Sequence, residues 1–458
     1  MKLYSPCSPW RLLIPRQFSN LFKKGRHCDS ALFHSHPQGS TTSLPEDMEA
    51  CLYVHWPFCK KICTFCNFNK YASNNVDHYR MKKCLVAETK TLLQLSGVKK
   101  ITSVYFGGGT PSLAEPLIIS SVLETISRFS YLPTDVEITL EANPTSAETG
   151  RLRHFLSAGI NRLSLGIQAF NQKDLLLLGR DNTVKDSLQA LQEAKSIFPG
   201  KVSIDLLFGR PHQSLEGWSK ELLQTIDVCD DHVSLYQLTL ERGTPLFRDV
   251  KLGKLSLPSS DVVAEMYQMA VETLLRNGFH RYEISNLAKP GAESKHNMAY
   301  WNGTQYIGVG PGAHSRFIPL GNGLQTRQAR VQTLEPNNWM KEVEIRGHAT
   351  RKEVPQTKFE VLEEVIMSSL RTADGLSNKK WHSLSPFSKH LSLSDIFKES
   401  EDVQQLVESG VLILNEKGIK ASHRGLSVVD SIITTLLVHL EKTVRILRED
   451  DQIDWKTP

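Results

Sequence analysis

The sequence predicts an α/β chain: a partial (β/α) barrel followed by a smaller, winged-helix-like C-terminal domain. Three observations predict it. From residue 51 to about 284, β-rich segments alternate with helix-periodic ones, which implies parallel strands joined by helical crossovers. The motifs with chemical character fall at or just beyond strand ends, where such folds place their sites. Beyond residue 330 the pattern changes to helices and one hairpin. A doubly wound open sheet is the alternative, because six or more strand–helix units in about 240 residues suit either arrangement.

The strand candidates are 51–55, 103–106, 137–141, 162–168, 202–208, 233–240 and 281–284, all rich in Val, Ile, Leu, Tyr or Phe. Helical periodicity covers 76–95, 117–129, 184–197 and 260–277, the last stopped by Gly278. Residues 331–352 are polar and read as a connector. Helices are expected over 357–370, 396–409 and 426–440. Between the last two, Val411–Leu414 and a second short strand to about Ser422 flank a turn through Asn415 and Gly418. The expected units are a tail (1–45), a barrel (46–290), a motif segment with connector (291–352) and the C-terminal domain (353–458). A winged-helix module often binds DNA, but few basic residues here support that, so a structural or protein-contact role is favoured.

The 458 residues are 40% hydrophobic and 22% charged, which suits two or three folded domains and excludes a disordered polymer. The net charge of +5 sits in the tail, where Lys2, Arg11, Arg16, Lys23, Lys24 and Arg26 face one acid, Asp29. Residues 46–458 are therefore neutral, and nucleic acid is not the expected partner. In the tail Phe18, Leu21 and Phe22 lie at helical spacing among the cations, the pattern of a transit peptide for the mitochondrial matrix. A basic tail with no address is the rival. No apolar run reaches about 18 residues, so no membrane span is expected; Ser431–Leu440 reads as a buried helix.

Eight cysteines in so long a chain do not make a disulfide scaffold. Three of them, Cys59, Cys63 and Cys66, crowd into eight residues directly after the first strand. Three thiolates can bind three irons of a 4Fe–4S cube and leave the fourth iron open to a small bidentate ligand. The rival is zinc, with His55 as a fourth ligand. Further along, Phe106-Gly107-Gly108-Gly109-Thr110-Pro111 follows the second strand and reads as a backbone cradle or a tight turn. Glu141 ends the third strand as either a ligand carboxylate or a helix-start acid. Gln168 ends the fourth, Arg180 follows, and Asp205 lies among apolar neighbours in the fifth. A strand aspartate there faces a polar pocket or a buried salt bridge.

The cysteine spacing resembles that of the radical SAM superfamily, which implies a partial barrel of that type, a 4Fe–4S cluster on Cys59, Cys63 and Cys66, and S-adenosylmethionine on the open iron. From about Leu52 to Ser315 the chain resembles the coproporphyrinogen oxidase-like branch. That resemblance implies cofactor contacts from Tyr53, Phe65, Gly108, Gly109, Thr110, Glu141, Gln168, Arg180 and Asp205. Phe208-Gly209-Arg210-Pro211-His212-Gln213 departs from the branch's usual Gly-Leu-Pro-Gly-Gln. The oxidases of the branch usually carry a cysteine two positions past the third ligand, where this chain has Phe68, and have a longer N-terminal element.

The haem chaperones of the HemW-like group are the better resemblance. It rests on Tyr282-Glu-Ile-Ser-Asn286, on His296-Asn297-Met298-Ala299-Tyr300-Trp301, and on Tyr306-Ile-Gly308-Val-Gly310-Pro-Gly312, a turn expected to be flexible. It implies haem held near His296, Asn297, Tyr300 and Trp301, passed to haem-accepting proteins such as respiratory components, with an electron donor for the cluster. An imidazole can ligate haem iron, though His296 also reads as a core histidine. The alternative is radical chemistry on a tetrapyrrole or another organic substrate, including dehydrogenation or methyl transfer. RNA modification is disfavoured by the neutral body.

Overall fold

The computed structural model describes residues 48–451 except 146–147, 149, 321–325 and 385–390. The expected transit segment, 1–45, lies outside the described residues. Six strands lie side by side in chain order and all parallel: β1 (Glu49–Trp56), β2 (Lys100–Gly108), β3 (Glu137–Ala142), β4 (Arg162–Gln168), β5 (Val202–Phe208) and β6 (His232–Gln237). This order decides between the two expected architectures. A doubly wound sheet reverses its order at a switch point, and this one does not. Right-handed crossovers then place the connecting helices on one side, as in a barrel that stays open.

Local signals explain the crossover helices. His78–Ser96 begins at Asp77, whose side chain accepts the Arg80 amide, and ends at Gly97 with φ 64°. Val184–Ile197 carries a capping box between Thr183 and Asp186. Pro116–Phe129 and Ser260–Arg276 also start within two residues of expectation.

Three expectations are corrected. The strand expected at 281–284 is split into β7 (His280–Arg281) and β8 (Asn286–Ala288). Buried Glu283 accepts the Ser285 amide and the Asn286 side chain, and this turns the chain. The connector expected at 331–352 holds structure. After the helix Lys295–Trp301, β9 (Gln305–Val309) pairs parallel with β1 on its free side. β10 (His314–Phe317), β11 (Gln328–Gln332) and β12 (Thr350–Pro355) extend that edge antiparallel, with helix Pro336–Arg346 before β12. β12 is an edge strand exposed along most of its length and rich in charge, so it has no alternation to read. The single helix expected at 396–409 is two, Leu393–Phe397 and Glu401–Glu408, because Ser400 caps a new start.

The C-terminal domain has its own apolar core, centred on Leu362, Trp381, Phe397 and Leu436. Its helices Lys358–Ser369 and Val429–Asp451 pack with a sheet of β13 (Leu376–Ser377), β14 (Leu412–Asn415) and β15 (Gly418–Ala421). Glu364 fastens it to the barrel by pairing with Arg316 and Arg327, all largely buried. Among the described residues no helix is long and apolar enough to cross a membrane.

The period-two alternation of the strands is what positions the site. Leu52, Val54, Phe106, Leu140, Leu165 and Leu206 belong to the core shared with the helices. Each such side chain contributes roughly 1.5–3 kcal/mol by burial. The opposite face carries Tyr105, Glu141, Ser164, Asp205, Ser234 and Tyr236. Glu88 locks the outer helices to the far edge. Its buried carboxylate accepts from Gly310 N at 2.8 Å, Ala349 N at 2.8 Å and Trp339 Nε1 at 2.9 Å, and burial raises its pKa to about 7. Glu88→Ala strands three buried donors and is expected to cost about 3 kcal/mol or more in denaturant unfolding, with Glu88→Gln costing less.

Candidate functional site

The cysteine loop leaves the C-terminal end of β1 and folds over the polar face. A short parallel pair, Phe58–Cys59 with Tyr71–Ala72, holds its two ends together. Its middle is tied to the segment after β4, where Thr64 donates its amide to Leu178 O at 3.0 Å and its hydroxyl to Leu177 O at 2.9 Å. Leu246 N reaches Thr64 O at 3.0 Å from the other side. All three cysteines are free thiols, Cys59 buried and the other two half-buried. Burial pushes the Cys59 thiol up to about 11, while a Thr110 hydrogen bond and the charge of Lys70 oppose this. Arg180 Nη1 lies 3.6 Å from Cys63 Sγ.

The zinc alternative finds no support in the geometry. His55 is buried and neutral, its pKa lowered to about 4 by burial. Its Nδ1 accepts from Tyr53 Oη at 3.0 Å and its Nε2 donates to Asn69 O at 2.8 Å, so neither nitrogen is offered to a metal. Among the described residues no three His, Cys, Asp or Glu side chains gather closely enough for a single ion.

The glycine run owes its composition to packing. A Cβ on Gly108 (φ 114°) would sit 2.5 Å from the His55 ring, and one on Gly109 would lie 2.8 Å from the Pro57 and Phe58 backbone. The loop's amides are already used: Gly108 N donates to Glu141 Oε2, Gly109 N to Trp56 O and Thr110 N to Phe58 O. A ligand therefore meets carbonyls here, which suit an ammonium donor. The second glycine turn is likewise tight. Cβ atoms on Gly310 and Gly312 would press within 2.4 Å of His55 O and 2.6 Å of Asn69 Nδ2, so the flexibility expected there gives way to close backbone contact.

Below the thiols lies a cleft lined by Cys59, Cys63, Cys66, Phe65 and Phe68 on one side and by Gly108, Gly109, Thr110, Glu141, Gln168, Arg180 and Asp205 on the other. Glu141 accepts from Tyr105 Oη at 2.9 Å as well as from Gly108 N, and Asp205 accepts from Ser164 Oγ at 3.1 Å. Burial raises Glu141 to about 7, with the charge of Asp205 adding to it, and burial raises Asp205 to about 6 against the opposing pull of Ser234, Ser164 and Arg180. Two buried carboxylates facing one cleft call for a cationic ligand. Gln168 is brought in by a register shift between β4 and β5 and has φ 68°. Arg180 donates to Gly166 O and projects toward Cys63.

Tyr53 lies at the rear of the cleft wall, its ring stacked on Tyr105 with centroids 6.1 Å apart and beside Gly107, and its hydroxyl on His55. Tyr105, Tyr236, Ser164 and Lys70 line the cleft, and the sequence reading missed them. Strand alternation was the signal, since Tyr105 and Ser164 lie on the inward parity of their strands.

The His296 group lies deeper on the same face. His296 is fully buried, with Nδ1 2.9 Å from Ser103 Oγ and Nε2 3.2 Å from Tyr300 Oη, and its ring stacks on Tyr105 at 4.9 Å. Burial lowers its pKa to about 3. Asn297 lines a small polar hollow next to Tyr105, while Tyr300 and Trp301 are half-buried. As folded, His296 presents no free nitrogen to an iron.

An open parallel sheet with three free thiols over a carboxylate-lined cleft defines a radical S-adenosylmethionine domain, and the Radical SAM superfamily matches residues 53–222. The HemN C-terminal domain matches 356–428. The chain belongs to the radical SAM family that includes mitochondrial radical S-adenosyl methionine domain-containing protein 1 and the haem chaperone HemW. It is 50% identical to the former from Bos taurus over 88% of this chain and 91% of that one. It is 31% identical to HemW of Bacillus subtilis over 81% and 95%. The fold matches a solved coproporphyrinogen III oxidase (HemN) from Escherichia coli with TM-score 0.67 and 22% identity, covering 86% and 91%. Relatives from cattle, mouse and zebrafish at about 50% identity are all named mitochondrial, and the chain is assigned to that compartment.

Membership of this superfamily implies a 4Fe–4S cluster and S-adenosylmethionine, and the free thiols and buried carboxylates fit both. Gly109→Ala would separate the glycine loop from the residues leading into Cys59. Iron retained after anaerobic reconstitution is expected to fall by roughly half or more, because the packed backbone cannot give way. Full retention would show that the two loops move independently.

Proposed function

We propose that the chain is a haem chaperone of the mitochondrial matrix, which binds haem and delivers it to haem-accepting proteins such as respiratory components. In this reading residues 1–45 are the transit peptide. Cys59, Cys63 and Cys66 hold a 4Fe–4S cluster, and S-adenosylmethionine occupies the cleft beside it. One observation carries the choice of chaperone over oxidase. Phe68 lines the cleft beside the three thiols, where the oxidases of this branch usually have a cysteine. The named haem chaperones resemble the chain over nearly their whole length, which supports the same choice.

The residues divide the work. When bound, the cluster supplies one electron, from an external donor, toward the sulfonium of the nucleoside. Glu141 and Asp205 offset the ligand's positive charge, Arg180 stands ready for its carboxylate, and Gly108 and Gly109 set the distance of the loop above it. Phe65 packs against it. Thr110 holds Cys59 by hydrogen bonding. Haem belongs to the His296–Trp301 region. Because both imidazole nitrogens are engaged, ligation by His296 requires the helix Lys295–Trp301 to turn outward. That helix is about two turns long, and the movement must release the Glu137 bonds of Ser294, Lys295 and His296 as well as the His296 contacts with Ser103 and Tyr105.

The second reading is radical chemistry on a tetrapyrrole or other organic substrate, or methyl transfer. The observation in its favour is the full set of cofactor-facing groups in the cleft. Product analysis with reductant and S-adenosylmethionine separates the two. Little conversion of coproporphyrinogen is expected, and efficient conversion would overturn the chaperone reading.

Two further outcomes follow. Haem titration monitored by the Soret band should give about tenfold weaker binding for His296→Ala, a loss of about 1.4 kcal/mol; equal affinity would remove His296 from the haem site. The second outcome concerns pH. Glu141 and Asp205 have raised pKa values, so at pH 6 they are extensively protonated and must lose protons to pair with a cation. Affinity for S-adenosylmethionine should therefore rise about tenfold from pH 6 to pH 8 in equilibrium dialysis. A flat profile would show that these carboxylates do not carry the ligand's charge.

A further inference from the structure

Arg210 is a buried cation that the cofactor site itself does not touch. Its side chain is 2% exposed and sits behind the wall of the cleft. Nη1 donates to Leu207 O at 2.7 Å and to Gln168 O at 3.1 Å, the carbonyls of two residues that line the cleft from β5 and β4. Nη2 pairs with Glu221 at 2.5 Å and with Asp174 at 3.0 Å. The other oxygen of Glu221 accepts Phe170 N at 2.7 Å. One guanidinium thus gathers the ends of two strands, the turn after β4 and the helix Gln172–Leu177. That helix runs directly into Leu177 and Leu178, whose carbonyls hold Thr64 between Cys63 and Cys66.

Backbone strain marks the same place. Among the described residues only Gln168 (φ 68°) and His212 (φ 62°) are non-glycine residues in the left-handed region. This conformation costs roughly 1 kcal/mol or more for a residue with a Cβ and persists only where the surroundings enforce it. Gln168 is held by the Arg210 guanidinium. His212 lies in the turn that Arg210 opens, where Arg210 N donates to Gln213 Oε1 at 3.1 Å and Gln213 N donates back to Arg210 O at 3.1 Å. Both departures from Gly-Leu-Pro-Gly-Gln, Arg for Leu and His for Gly, fall within this network. A leucine at 210 would have no donor for the two carbonyls and no charge for Glu221.

We propose that Arg210 is a positioning residue for the cofactor cleft: it fixes the strained Gln168 backbone toward the ligand and, through Asp174, steadies the segment that anchors the cysteine loop. A lysine in its place keeps one positive charge for Glu221 but cannot span two carbonyls and two carboxylates. The inference rests on the cofactor reading above, and the experiment separates the two.

The test uses full-length protein reconstituted anaerobically, with Arg210→Lys and Asp174→Asn, a milder change at a partly exposed partner. Electron paramagnetic resonance of the reduced cluster is followed as S-adenosylmethionine is added, and loss of iron to a chelator is timed. Both variants should show the wild-type spectrum without ligand. The ligand-induced change should need at least fivefold more S-adenosylmethionine in Arg210→Lys and about twofold more in Asp174→Asn, and iron should be lost several-fold faster from both. Unchanged ligand dependence and iron loss in Arg210→Lys would overturn the proposal. If that variant does not fold, wild-type behaviour of Asp174→Asn in both measurements overturns it. A wild-type spectrum that ignores S-adenosylmethionine would instead overturn the cofactor reading, and this inference with it.

Discussion

Burying Glu141 and Asp205 on the polar face of the sheet sets the constraint on which the cleft depends. A carboxylate removed from water without a partner is penalised by several kcal/mol. The protein answers with hydrogen bonds: Tyr105 Oη and Gly108 N for one, Ser164 and Ser234 for the other. These bonds do not restore the ordinary acidity, so the cleft is left short of positive charge. Of the cations that line it, Arg180 is turned toward Cys63 and Gly166 O, Lys70 donates to Cys66 O and Lys61 pairs with Asp181. The architecture is therefore complementary to a ligand that brings its own cation.

The same constraint accounts for the tight glycine loops. Their amides are consumed within the protein, and their missing side chains let β1, the cysteine loop and the β9–β10 turn meet at backbone distance. His55 is the common neighbour, packed against Gly108, touching Gly310 and bonded to Asn69. Asn69 in turn donates to Pro311 O at 2.8 Å and Leu334 O at 2.9 Å. The loop that carries the thiols is thereby fastened to both edges of the cleft.

The sequence revealed most of this where local chemistry was self-sufficient. The parallel strands are apolar on their helix-facing side and end in polar motifs, so their existence and the ends that carry the motifs were readable, while their order came from the structure. The gathering of Cys59, Cys63 and Cys66 on one loop beyond the first strand was readable from their spacing. The misses have physical causes. β12 is a charged edge strand with little to bury, and its pairing with β11 is made across the helix Pro336–Arg346 rather than a short hairpin turn. Tyr53 carries the same residue type and parity as Tyr105, and the packing of the two rings, with centroids 6.1 Å apart, was not readable from the strands. His296 shows the opposite case: its motif was evident, but its burial was not, because that burial depends on Ser103 and Tyr105 from a strand nearly two hundred residues earlier.

That burial bears on how one chain joins a cofactor cleft to a second site. β3 carries Glu137 at one end and Glu141 near the other, on the same face and about 13 Å apart at strand rise. Glu137 accepts Ser294 Oγ, Lys295 N and His296 N, so it docks the start of the His296 helix, while Glu141 faces the cleft. Tyr105 on the adjacent strand spans the interval, its hydroxyl on Glu141 and its ring on His296. A ligand that draws Glu141 into full ionisation strengthens the Tyr105 bond and holds the tyrosine ring, and with it one wall of the histidine's pocket. The two sites are thus successive layers of one polar wall.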